Sequence, residues 1–99
     1  MISYTADKVI EMFENGTVHY VDIYVREARN NYDYRVRRLG YNYNYSEERK
    51  EELRRQVNEA EDVYLVMIQV LKRMGKQKHY EIHKKRFEEI YAKRMELYW

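Results

Sequence analysis

The stretch "VLKRMGKQKHYEIH", residues 70–83, decides the fold. Upstream of Gly75, the residues Leu53, Val57, Ala60, Tyr64, Met67, Leu71 and Met74 recur at spacings of three and four. That spacing lines one face of a helix. Continued past Met74, the same line meets Lys78, Glu81, Lys85 and Glu88, all charged. The apolar residues there are instead Tyr80, His83, Phe87, Ile90, Tyr91 and Tyr98. At about 100° per residue the second stripe lies nearly opposite the first. A straight helix would leave one stripe in water, whereas a reversal at Gly75 turns both toward one interior. The pattern therefore predicts two antiparallel helices, about 46–74 and about 77–98, joined by a short loop.

Ser46 followed by Glu47 and Glu48 starts the first of these, with a hydroxyl to cap the free amides and acids at the positive end of the dipole. Further upstream, Val18, Val21, Val25, Ala28, Tyr32, Val36 and Leu39 keep helical spacing without a gap. They predict a helix at about 18–39, with Thr17 as its cap and Gly40 as its stop. A strand over "TVHYVDIYV", residues 17–25, competes through its β-branched and aromatic content. Thr5, Asp7 and the face Ala6, Val9, Ile10 and Phe13 predict a short helix at about 6–15, closed by Asn15-Gly16. The expected architecture is all-α: an antiparallel bundle of three long helices plus a short N-terminal one, in a single domain over 1–99. Three glycines and no proline suit such a chain, and 99 residues leave room for one core.

Composition removes several alternatives. With no cysteine there are no disulfides or thiolate metal sites. "MISYTADKV" lacks the basic segment and apolar core of a signal peptide. The apolar run near Val63–Leu71 is too short to span a bilayer. The expectation is a soluble, cytoplasmic protein without membrane contact.

Twelve tyrosines against two phenylalanines suit half-exposed and contact positions, since tyrosine joins a large apolar ring to a polar tip. In "LGYNYNYSEER", residues 39–49, extended backbone would turn Tyr41, Tyr43 and Tyr45 to one side. They could cover the end of the bundle or meet a partner. "VYLVMIQVL", residues 63–71, needs only Tyr64, Met67 and Leu71 for its stripe, leaving Val63, Leu65, Val66, Ile68 and Val70 as surplus. The ending "MELYW" adds Tyr98 and Trp99, residue types favoured at binding hot spots. Together these predict a second protein surface, closed by a homodimer or by a target protein.

Charge falls in blocks: about −3 over residues 1–24, about +3 over 25–45, about −3 over 46–70 and about +5 over 71–99. One basic patch holds Arg26, Arg29, Arg35, Arg37 and Arg38 beside Tyr32 and Tyr34. The other holds Lys72, Arg73, Lys76, Lys78, Lys84, Lys85 and Arg86. Arginine interleaved with tyrosine is a way to hold phosphates and stack bases, which makes RNA or DNA the alternative partner. No RNA-binding signature or helix-turn-helix pattern accompanies it.

Catalytic patterns are sparse. His79 and His83 share a helix face in "HYEIH", but Tyr80 stands where a zinc protease has glutamate. There is no glycine-rich phosphate loop and no serine or cysteine in a nucleophile pattern. Arg73 through His79, "RMGKQKH", resembles the Arg-x(4–6)-His motif of HEPN-type ribonucleases. That resemblance spans seven residues and implies RNA cleavage by a dimer, with Arg73 and His79 as the catalytic pair. The chain as a whole predicts no enzyme, no metal, no cofactor and no small-molecule substrate. A small, cysteine-free, tyrosine-rich chain of this kind is similar in composition to phage and mobile-element accessory proteins, anti-CRISPR inhibitors among them. The expected function is binding of a macromolecular partner as regulator, adaptor or inhibitor, through Tyr41, Tyr43, Tyr45, Tyr98 and Trp99. The nucleic-acid alternative rests on Arg26, Arg29, Arg35, Arg37, Arg38, Lys76, Lys78, Lys84 and Lys85.

Overall fold

The computed structural model describes residues 11, 12, 15, 21–40 and 45–97. Among them the chain is all-helical, without a strand: α1 (Val21–Leu39), α2 (Glu47–Arg73) and α3 (Gln77–Glu96). The strand alternative at 17–25 gives way to helix from Val21 onward. The expected helix at 6–15 lies almost wholly outside the described residues.

Gly75 turns the chain as its position requires. Its φ is +75°, a left-handed conformation that costs a residue with a Cβ about 1–2 kcal/mol. The Gly75 amide donates to the Lys72 carbonyl at 3.2 Å, and the Lys76 amide to the Leu71 carbonyl at 3.0 Å. This pair of bonds is the Schellman ending, which satisfies carbonyls the helix leaves open. A new helix begins two residues later, so α3 returns along α2.

Side-chain pairs fix the directions. Arg35 of α1 bonds Gln56 of α2, and Tyr32 bonds Glu61, so α1 and α2 run antiparallel. Lys72 of α2 lies over the Tyr80 ring of α3, and Tyr64 meets His83, so α2 and α3 are antiparallel too. α1 and α3 are parallel. Asp22 and Lys76 meet at one end, 3.4 Å apart. At the other end a Cβ on Gly40 would come within 3.2 Å of a Leu97 methyl. Gly40 therefore matters for close approach; Gly75 is the described glycine with positive φ.

The core takes Val21, Val25, Ala28, Tyr32, Val36 and Leu39 from α1 and Leu53, Val57, Ala60, Tyr64, Met67 and Leu71 from α2. These follow the predicted stripes, except that Met74, past the end of α2, is 41% exposed and Val18 lies outside the described residues. Most of the surplus expected over 63–71 is covered by the chain itself. Ile68 and Val70 are 5% and 0% exposed within the single chain, and Val63 and Val66 pack partly buried against the core. Two helices laid against α2 at different angles cover a wider arc than one stripe. Of the surplus residues only Leu65, at 40%, stays exposed.

Candidate functional site

The polar chemistry of the interior comes from tyrosine tips. Tyr32 and Tyr64 are fully buried; their rings tilt against each other, and Phe87 stacks on Tyr32 and tilts against Tyr64, with centroids 5.5–6.1 Å apart. Each hydroxyl needs a partner, because an unpaired buried one costs about 1–3 kcal/mol. Tyr32 donates to Glu61 Oε2 at 2.8 Å. Arg94 of α3 bonds the same oxygen and also Asn58 Oδ1. One carboxylate thus ties all three helices together. Burial, reinforced by that carboxylate, pushes the Tyr32 phenol far above its usual range. Burial opposes the charge on Arg94, but Glu61 outweighs it and holds the guanidinium firmly protonated.

Tyr64 meets His83 Nδ1 at 2.9 Å and its hydroxyl also reaches the His83 carbonyl at 3.3 Å. Burial raises the Tyr64 phenol to about 12. Burial, then Arg29 and His79, push the His83 imidazole below its ordinary value. A neutral phenol against a neutral imidazole is a packing device.

The histidines at i, i+4 therefore part company, with His83 buried on Tyr64 and His79 exposed. Among the described residues no group of three or more His, Asp or Glu side chains could hold a metal ion. Arg73 closes α2 and His79 opens α3, so the ribonuclease-like motif straddles the Gly75 reversal with both side chains exposed.

The first basic patch divides. Arg35 and Arg38 flank the exposed Tyr34 ring, each 5.8 Å from its centroid, and Arg35 bonds Gln56 on the α2 side. Asp22, Arg26, Arg29, Asp33 and Arg37 instead follow one helical line on the α3 side. Asp22 marks that side by meeting Lys76, and Asp33 and Arg37 mark it by lining the groove between α1 and α3. Alternation along a helix separates sequence neighbours by about 100° each, so one run of arginines supplies two flanks. From the second patch, Arg86 joins this groove while Lys78, Lys84 and Lys85 are exposed.

On the opposite side of α3 lies an apolar ledge. Glu61, Leu65, Ile68 and Lys72 form one line on α2, and its ends touch Arg94 and Tyr80 of α3. Leu65 therefore sits on the α3-facing edge. Beside it α3 presents Phe87, half-buried, with Tyr91 stacked on it at 6.0 Å, and then Met95 one turn on. Tyr91 and Met95 are 42% and 46% exposed. Tyr91, expected in the core stripe, is exposed instead, and Met95 joins it at i, i+4 on the margin of that stripe.

Of the expected partner-binding residues, Tyr45 is half-buried and packs against the core, so it covers the interior. Tyr41, Tyr43, Tyr98 and Trp99 lie outside the described residues. No described helix is long and apolar enough to cross a membrane. Comparison with known proteins finds no matching family model, no matching curated protein and no matching solved structure.

Proposed function

We propose that this chain is a non-catalytic binding protein that engages a protein partner as a regulator, adaptor or inhibitor. The observation that carries the reading is the ledge of Leu65, Phe87, Tyr91 and Met95, apolar and aromatic, on a frame whose described buried polar groups are all satisfied. Tyrosine and methionine are enriched at interface centres, and an aromatic ring held by stacking binds with little loss of freedom. The perturbed groups support a structural role: Tyr32, Tyr64 and His83 are consumed by internal bonds. Tyr41, Tyr43, Tyr98 and Trp99 are the further candidates for the same contact.

The test compares the wild type with a Tyr91→Ala/Met95→Ala variant, in molar mass by light scattering and in affinity capture from a lysate. A mass of two chains, or specific capture, that disappears in the variant supports the ledge. A monomer that captures nothing, or a variant that captures the same proteins, contradicts it.

A further inference from the structure

The groove between α1 and α3 faces away from that ledge and has a different chemistry. It is an open trough of about 370 Å³, lined by Asp33, Arg37, Arg86, Glu89, Ile90 and Lys93. Arg26 and Arg29 extend its α1 wall toward the Asp22–Lys76 contact, since they fall on the helical line between Asp22 and Asp33. On α3, His79, Arg86 and Lys93 stand seven residues apart, two turns each, on the other wall.

The trough holds two carboxylates. Asp33 pairs with Arg37 at 3.1 Å and Glu89 with Arg86 at 3.0 Å. Each fixes a guanidinium in place without using all of its donors. Arg26, Arg29 and Lys93 have no described carboxylate within ion-pair distance. The walls thus carry a clear excess of positive charge, mostly as guanidinium, whose fork matches phosphate oxygens. From Arg26 to Arg37 the row runs about 16 Å along the axis at 1.5 Å per residue. That is long enough for several successive phosphates, which follow at about 3.4 Å of axis per strand.

We infer that the α1–α3 groove binds the phosphate backbone of a nucleic-acid duplex, without reading sequence. The excess of guanidinium on two facing walls is complementary to a polyanion. Among the described residues no tyrosine, phenylalanine or tryptophan lines the trough, so its walls offer unpaired bases no ring to stack on, and a duplex fits them better than a single strand. The exposed ring that does meet arginines, Tyr34, lies on the other flank of α1. The inference is independent of the protein-binding ledge, and either can fail without the other.

Fluorescence anisotropy tests it on the full chain, with a labelled random-sequence duplex, a single strand of equal length and poly-glutamate as competitors, over a salt series. The expected result is duplex binding that weakens as salt rises. In Arg26→Gln/Arg29→Gln the slope of log K against log salt falls by about two, since each phosphate contact contributes about 0.9. Lys78→Gln/Lys85→Gln, which leaves the groove intact, keeps the wild-type slope. Circular dichroism melting checks that each variant is folded. Absence of duplex binding at low salt overturns the inference. So does a slope unchanged in the groove variant, or tighter binding to the single strand or to poly-glutamate than to the duplex.

Discussion

The α1–α2 pair and α3 are held in different ways. Between α1 and α2 the contact is dry: Val25, Val36, Leu53, Val57 and Leu71 are 0–2% exposed. α2 also supports itself locally. Ser46 caps it by accepting from the Arg49 amide at 3.2 Å, acids open it, and Lys72 and Arg73 close it. Of the α3 residues described, only His83 and Ile90 are buried, at 9% and 3% exposure. This helix starts at Lys76 with no side-chain cap and no acid in its first turn. Its docking depends on placed polar contacts: Arg94 on Glu61 and Asn58, His83 on Tyr64, Lys76 on Asp22. Apolar burial is insensitive to direction and polar contacts are not. The α1–α2 pair therefore supplies stability, and α3 depends on position.

Leu71→Ala, in the dry part, should cost the most, about 2–5 kcal/mol, because it removes buried methyls and leaves a cavity. Urea unfolding read by circular dichroism should show one cooperative transition at a lower midpoint. Loss of α3 protection alone, with α1 and α2 intact, would erase the distinction.

Arg94→Ala should come next, at about 2–3 kcal/mol, since it strands the Glu61 carboxylate at a site only 17% exposed. Its effect should be local: hydrogen exchange should accelerate in α3 before it does in α1. Uniform acceleration across all three helices would show that α3 is not the weaker element.

The Tyr64–His83 contact makes a pH prediction of similar or smaller size. His83 sits below its ordinary value in the fold, so the unfolded chain takes up its proton first. Stability should be full above pH about 6.5, decline as pH falls below that, and level off once the folded imidazole is also charged. In His83→Gln this part of the acid decline should vanish. At the alkaline end the neutral Tyr64 phenol is favoured up to about 12. Stability should therefore fall as pH rises from the usual tyrosine value near 10 toward 12; Tyr64→Phe should remove its share of that limb and leave the share from Tyr32, whose phenol is raised as well. Identical acid profiles for wild type and His83→Gln between pH 5 and 7 would contradict the contact.

Gly75→Ala should have the smallest effect, about 1 kcal/mol, all of it conformational, because a Cβ there meets nothing within 4 Å. Gly75→Asn should cost less, since asparagine tolerates the left-handed region. Equal thermal midpoints for wild type and Gly75→Ala would show that the turn does not need its positive φ.

The legible parts of the sequence were those governed by period. The stripes on α1 and α2, the Ser46 start and the Gly75 reversal follow from residue spacing and from the preferences of serine and glycine. Spacing within one helix does not report the angle at which neighbours arrive. Ile68 and Val70 therefore read as surplus although the chain covers them itself. For the same reason five arginines read as one patch although they split between two seams. The Tyr32–Glu61–Arg94 tie links residues far apart in sequence and of common types, and nothing local announces it. The ledge of Leu65, Tyr91 and Met95 and the groove of Arg26, Arg29 and Lys93 likewise arise only where two helices meet.

Everything about these surfaces depends on α3 running back along α2. The chain has no cysteine, so spin labels at Glu51→Cys and Glu96→Cys, both exposed, report one distance by double electron–electron resonance. The returning chain places them about 20–30 Å apart, one helix spacing plus a short offset and the labels. A helix continuing through Gly75 would place them about 68 Å apart at 1.5 Å per residue, and that distance would contradict the fold.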